Sequence, residues 1–283
     1  VYLEPGEEMP LRDMLKSVVV SSANDCATAL AEHVAGSEEA FVARMNERAA
    51  ELGMQDTHFV NCTGLDDGEA AQAHRTSAYD IALMSRQLLQ HDEIREYTTI
   101  WMDTVRDGKF GLANTNKLVR FYQGTTGLKT GFTSGAGYCL SASAQRSGVE
   151  FIAVVLHCGS SQDRFASAKA LLDYGFSNYT LLSPQVELQA LEIPVKLGSS
   201  AAVQAELQQS GPLLIEKSQA AGVSQEVSLP AQLEAPVAQG QVLGELTLQS
   251  GAQVLGKIPL VASQAVTRLS WWQAAKRVLS GAC

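Results

Sequence analysis

The chain has 283 residues, 46% of them hydrophobic and 18% charged, with a formal net charge of -9 and a pI near 5.1. An acidic balance with no Lys/Arg cluster between aromatics excludes a nucleic-acid binder, and no apolar run reaches the ~18 residues that a bilayer span requires. The length predicts about two domains rather than one.

Val1-Tyr2-Leu3-Glu4-Pro5 lacks the charged start and apolar stretch of a signal peptide, and there is no initiator Met. The chain is therefore expected to begin inside a longer protein. A helix is predicted from Met9-Pro10-Leu11, with Leu11, Met14, Leu15 and Val18 as its buried face. Next, Ser21-Ser22-Ala23-Asn24-Asp25 interrupts two apolar helical stretches. Either Ser22, Asn24 or Asp25 caps the following helix, Cys26 to Ala35, or the segment sets a hydroxyl beside an amide. Gly36 ends that helix, and Ser37 caps another with Glu38 and Glu39 in its first turn and a stripe of Phe41, Met45, Ala49 and Leu52.

His58, Asn61, His74 and Asp80 fall in or beside the loop from Thr57 to Thr76. They could form a polar site, but their spacing is not that of a metal site, and Thr76-Ser77 reads more simply as the cap of a helix carrying Ile81, Met84 and Leu88. Asp107-Gly108 marks a hairpin turn between Trp101–Val105 and Phe110–Leu112. The stretch from Gly127 to Ser134 reads as a strand presenting Lys129 and the Thr130 hydroxyl to a cleft. Tyr138, Leu140, Ala142 and Ala144 alternate as a half-buried strand, Val149 to Leu156 follows as a buried one, and Asp163 to Tyr174 closes as a helix with Phe165, Ala168, Leu171 and Leu172 inward.

Beyond Ser183-Pro184 the composition shifts to short alternating runs, Glu192–Leu197, Glu226–Leu229, Val242–Leu248 and Gln253–Leu260, separated by Gly, Pro and Ser. This predicts a separate all-β module without histidine or a catalytic constellation. Val266 to Cys283 carries Arg268, Lys276 and Arg277 with no acid. Trp271, Ala275 and Val278, with Trp272 and Leu279 offset, share helical spacing, which suits a membrane-surface helix or docking onto the β-module. The five cysteines are widely spaced and read as small buried hydrophobes.

Ser22-Ala23-Asn24 and Lys129-Thr130-Gly131, about a hundred residues apart, resemble the second and third motifs of the penicillin-recognising serine acyl-enzymes. Val20 to Asp25, Gly64-Leu65-Asp66 with His74, Gly127 to Gly131 and Ala136-Gly137-Tyr138 narrow this to the penicillin-binding D-alanyl-D-alanine carboxypeptidases, the low-molecular-mass penicillin-binding proteins. The resemblance implies an α+β, β-lactamase/DD-peptidase-like domain over 1–178 lacking its N-terminal part, a β-rich domain over 179–265 and an amphipathic membrane-surface tail over 266–283.

It further implies a cell-wall hydrolase outside the bacterial cytoplasmic membrane that needs neither cofactor nor metal. That enzyme removes the terminal D-alanine of peptidoglycan pentapeptides through a serine ester and is acylated by β-lactams. Ser22 would relay a proton to the leaving amine, Asn24 would bond the substrate amide, and Lys129 would hold Ser22 and attract the substrate carboxylate. Thr130, Gly131 and Phe132 would form the substrate-binding side, with Thr130 donating to the carboxylate and the Phe132 N–H forming half of an oxyanion hole. The family's S-x-x-K nucleophile motif is absent, because no serine here has lysine three positions later. It is expected upstream of Val1, leaving this stretch inactive alone; a non-catalytic wall-binding relative and a β-lactamase are the alternatives. Two departures are Phe132, where several relatives carry histidine, and the region of Thr115, where some relatives carry an arginine that helps hold the carboxylate and the cations here are Lys117 and Arg120.

Overall fold

The computed structural model describes residues 1–184, 191–208, 211–273 and 275. It divides into two compact units, Val1–Ser177 and Asn178–Cys283.

The first unit opens with three helices, α1 (Leu11–Ser21), α2 (Asn24–Ala35) and α3 (Glu38–Glu51). The junction of α2 and α3 has a local cause. Gly36 ends α2 in the left-handed region at φ 87°, and Ser37 Oγ accepts from the Ala40 N–H at 3.1 Å to start α3. After the loop comes α4 (Ala78–Leu88), whose cap is Ser77 Oγ accepting from the Asp80 N–H at 3.2 Å. The short helix α5 (Arg95–Thr98) leads into the hairpin of β1 (Met102–Val105) and β2 (Phe110–Ala113). A turn of helix, α6 (Leu118–Phe121), precedes β3 (Thr125–Thr133), β4 (Gly137–Arg146) and β5 (Val149–Cys158). These three strands form an antiparallel sheet in the order β3-β4-β5, which leaves β3 on an edge. The unit closes with α7 (Ser161–Asn178), packed on the sheet through Ala168 and Leu172 against Leu140, Ala142, Ala144 and Val155.

Three expectations are corrected. The face of α1 made by Leu11, Met14, Leu15 and Val18 is not buried, and Leu11 and Leu15 are exposed. Here α1 packs through Val20 on Val105 and Leu112 of the hairpin, so the hairpin chooses the face and not the widest apolar stripe. On α7, Leu171 is exposed and the buried stripe is Arg164, Ala168, Leu172 and Gly175. Gly175 lets Phe151 approach so closely that an added Cβ would sit 2.9 Å from its ring, which rotates the helix relative to the apolar count. Strand β4 is buried on both faces, because Ser141 and Ser143 on its second face are sealed by hydrogen bonds to Ser85 and Thr126, each at 2.7 Å.

The second unit contains β6 (Tyr179–Leu182), β7 (Glu192–Lys196), β8 (Ala202–Leu207), β9 (Leu213–Glu216), β10 (Val223–Ser228), β11 (Leu233–Glu234), β12 (Val242–Ser250) and β13 (Gln253–Ala262). Six of them form a sheet in the order β10-β12-β13-β8-β7-β11, while β6 and β9 pair separately. One helical turn at Lys217–Ala220 interrupts an otherwise β-rich unit. Val266, expected to open the tail, is instead 1% exposed in the β-core and pairs with Val237; Arg268 bonds Glu234 at 3.0 Å. The backbone stays tied to this unit through Leu269, whose N–H donates to Leu197. Trp271 and Trp272 are exposed, and Lys276, Arg277, Val278, Leu279 and Cys283 lie outside the described residues.

Candidate active site

Helix α1 ends with the Ser22 N–H on Val18 O and the Ala23 N–H on Ser17 O, which close its last turn. Ser22 holds the left-handed position of that turn, φ 58° and ψ 44°, where glycine is the residue without steric cost. A serine retained there points to a use for its hydroxyl. Helix α2 begins from Ala23 with no side-chain cap, so none of Ser22, Asn24 and Asp25 caps it in the expected way. Asp25 instead accepts from the N–H groups of Leu3 and Cys26. The Asn24 side chain is exposed and makes no hydrogen bond among the described residues.

Lys129 reaches Ser22 across 107 residues, its Nζ donating to Ser22 Oγ at 2.8 Å and to the Thr130 carbonyl at 2.8 Å. Burial first, and then the nearby Arg164 cation, push the ammonium down to about 8 from an ordinary value of 10.5. The side chain is still mostly charged at neutral pH. Thr130 Oγ1 donates to Thr115 Oγ1 at 2.7 Å, and the Thr115 N–H donates to Val20 O in the last turn of α1. Thr115 thus joins the helix that carries Ser22 to the strand that carries Lys129.

Two buried asparagines fix this junction. Asn114 Nδ2 donates to Ile100 O and its Oδ1 accepts from the Asn116 N–H; Asn116 Nδ2 donates to Gly127 O and its Oδ1 accepts from the Leu118 N–H. Asn116 is fully buried. Asn116→Leu would strand a carbonyl and an amide without partners, so it is expected to lower stability by about 3 kcal/mol, measured from urea midpoints.

Of the strand glycines, Gly127 is demanded by packing, since an added Cβ would lie 3.0 Å from Thr98. At Gly131 an added Cβ would make only an ordinary 3.8 Å contact with Cys139. Protein packing therefore does not require a glycine at 131. Phe132 is 57% exposed, its ring stacked at 4.3 Å on Tyr138. On the helix-loop side, Asp66 Oδ2 accepts from the Gly135 N–H at 3.1 Å, a bond that, with one from Thr133, holds its carboxyl below the usual carboxylate range. This ties the 61–74 loop to the β3–β4 turn.

Other candidates stay apart. Asn61 braces its own loop through Thr63, Gly64 and Leu65, and Asp80 is buried accepting from Asp56 and Thr57. His74 packs edge-on against Phe59, and burial pulls its pKa down, with His58 adding to the effect. Its ring does line the same cavity of about 700 Å³ as Lys129 and Thr130. Lys117 lines a different pocket, with Phe165 and Lys169. Among the described residues no group of three His, Cys, Asp or Glu side chains is placed to hold a metal, and Cys26, Cys62, Cys139 and Cys158 are free thiols.

Arg164 is the cation that the sequence reading missed. It is 7% exposed under β3, its Nη1 donating to Gly131 O at 3.1 Å and Cys139 O at 3.3 Å. The signal was available: it starts the stripe 164, 168, 172, 175, and a charge on the inward face of a helix is seldom idle.

Comparison with known proteins shows the family. A family model described as D-alanyl-D-alanine carboxypeptidase matches residues 1–160, and one described as the C-terminal domain of penicillin-binding protein 5 matches 176–268. The chain is 36% identical over 284 residues to D-alanyl-D-alanine carboxypeptidase DacF of Bacillus subtilis, covering 99% of this chain and 72% of that one. It is 32% identical to DacC of Escherichia coli, covering 94% and 66%. Penicillin-binding protein 5 from Haemophilus influenzae superposes with a TM-score of 0.74 at 28% identity, over 91% of this chain and 74% of that structure. Penicillin-binding protein D2 from Listeria monocytogenes, solved in its ampicillin-bound form, is 37% identical with a TM-score of 0.55, over 59% and 68%. With its Ser22–Lys129 contact, its edge strand and its β-rich second unit, the chain belongs to the D-alanyl-D-alanine carboxypeptidase family of penicillin-binding serine peptidases.

Proposed function

We propose that these residues form the proton-relay and carboxylate-binding side of a serine-type D-Ala-D-Ala carboxypeptidase that removes the terminal D-alanine of peptidoglycan pentapeptides. The observation that carries this reading is the 2.8 Å contact between Lys129 Nζ and Ser22 Oγ. In the acylation step a serine oxygen adds to the penultimate D-alanine carbonyl and the C–N bond to the terminal D-alanine breaks. The departing nitrogen takes a proton from Ser22 Oγ, which recovers one from the attacking hydroxyl. Lys129 keeps Ser22 oriented and neutralises the terminal carboxylate, to which Thr130 turns its hydroxyl from Thr115, while Asn24 bonds the substrate amide and the Phe132 N–H receives the developing oxyanion beside the open Gly131. Water then releases the acyl group. A β-lactam carries the same carboxylate and carbonyl and is expected to acylate the same serine.

The attacking serine is not among these 283 residues, since none belongs to an S-x-x-K motif. Fluorescent penicillin is therefore expected to label the complete gene product covalently and to leave the 283-residue chain unlabelled. A gene product that binds peptidoglycan but takes no label would be a non-catalytic wall-binding relative, and labelling of the chain alone would locate a nucleophile within it. The reaction belongs on the outer side of the bacterial cytoplasmic membrane, where peptidoglycan lies. Exposed Trp271 and Trp272 support contact of the segment after Leu269 with a membrane surface. No helix among the described residues is long and apolar enough to cross a membrane.

A further inference from the structure

The geometry points to Arg164 as a positioning residue that strengthens the oxyanion-binding N–H of Phe132 through the Gly131–Phe132 peptide, an inference that rests on the acyl-transfer reading above. Gly131 O and the N–H of Phe132 belong to one peptide unit, and in a planar trans peptide they point in opposite directions. Arg164 takes the carbonyl at 3.1 Å. The N–H is thereby turned the other way, and among the described residues no strand lies beyond β3 in its sheet. A cation bonded to the carbonyl draws electron density along the amide, which makes the N–H a stronger donor; such cooperative polarisation is larger where the local dielectric is low.

The site is built for this. Arg164 is buried, and no carboxylate among the described residues pairs with it. Its Nε has no hydrogen-bond partner, while Nη2 reaches only Ser161 Oγ at 3.3 Å. The ring of Phe165 lies 4.7 Å and that of Tyr138 5.4 Å from the guanidinium carbon. A buried guanidinium without a counter-ion is costly, and a structural role alone would be served better by an apolar residue of similar volume. The two carbonyls it holds are register partners, Gly131 on β3 and Cys139 on β4. The full positive charge is thus delivered to the peptide that, two residues past Thr130, borders the reacting carbonyl.

The test compares Arg164→Met and Arg164→Lys in the complete gene product with the unaltered protein. Loss of a whole oxyanion donor costs roughly a hundredfold to a thousandfold in turnover. Weakening one donor is expected to lower kcat and the rate of acylation by penicillin about tenfold in Arg164→Met, with KM within about twofold and Arg164→Lys intermediate. In the complete gene product labelled with 15N, the Phe132 amide proton should move upfield in Arg164→Met, with a smaller shift in Arg164→Lys, while the Ser22 and Asn24 amides stay in place. Unchanged kcat together with an unchanged Phe132 amide would overturn the proposal, as would a fall confined to KM. If Arg164→Met does not fold, Arg164→Lys decides the matter on the same two readouts. A gene product without acyl-transfer activity would refute the reaction class, whereas the amide shift would still report whether Arg164 polarises the peptide.

Discussion

Lys129→Met is expected to abolish most of the activity of the complete gene product, lowering kcat/KM for a D-Ala-D-Ala peptide by roughly a thousandfold. Two losses combine in one side chain. The Nζ that orients Ser22 at 2.8 Å disappears, and so does the cation proposed to meet the terminal carboxylate. Methionine fills a similar volume, so the variant should fold. The pH behaviour gives an independent check. With the Lys129 ammonium held at about 8 by burial and by Arg164, the charged form that the substrate needs is lost as pH rises through that value, and kcat/KM should fall on an alkaline limb near pH 8. Stability should move the opposite way. The folded state binds the proton less tightly than the unfolded chain, whose lysine titrates near 10.5, so the protein gains stability as pH climbs from about 8 toward 10.5. Lys129→Met should show no such gain. A kcat/KM profile flat to pH 10, with the stability increment retained in the variant, would remove Lys129 from the site.

Local signals made the helices and the sheet legible, because their caps and turns are written in adjacent residues: Ser37 before α3, Ser77 before α4, Gly36 after α2. The strand of Lys129 was legible for another reason, since Lys129-Thr130-Gly131 and Ser22-Ala23-Asn24 are motifs whose chemistry is shared by a family. What periodicity missed depends on contacts between distant segments. The buried face of α1 is chosen by the β1–β2 hairpin, some ninety residues on, and the rotation of α7 by the approach of Phe151 to Gly175. The four glycines from 127 to 137 looked alike in sequence. Only packing separates Gly127, which Thr98 requires, from Gly131, which no protein neighbour requires. Thr115 reads as an ordinary loop residue until the fold brings it between Val20 and Thr130, and Arg164 reads as a solvated charge until α7 turns it under β3.

Ser22→Gly separates function from folding more sharply than any other change at the site. At φ 58° and ψ 44° a serine side chain crowds the backbone, at a cost of about 1 kcal/mol or more that glycine avoids. Glycine also raises the entropy of the unfolded chain, which offsets about 0.4–1 kcal/mol of that gain. The expected melting temperature is therefore equal to that of the unaltered protein or a few degrees higher. Turnover should fall by roughly a hundredfold to ten-thousandfold, since the leaving amine would lose the proton donor proposed for it and Lys129 Nζ would keep only the Thr130 carbonyl. Ser22→Ala keeps the backbone strain and removes the hydroxyl, so it should match Ser22→Gly in activity while lying below it in stability. The pair of melting curves and the pair of rates together assign the cost: strain belongs to the backbone at position 22, and the chemistry to its Oγ. If Ser22→Gly melted several degrees lower than the unaltered protein, the hydroxyl would be a structural brace between α1 and β3, and the left-handed serine would need no catalytic explanation.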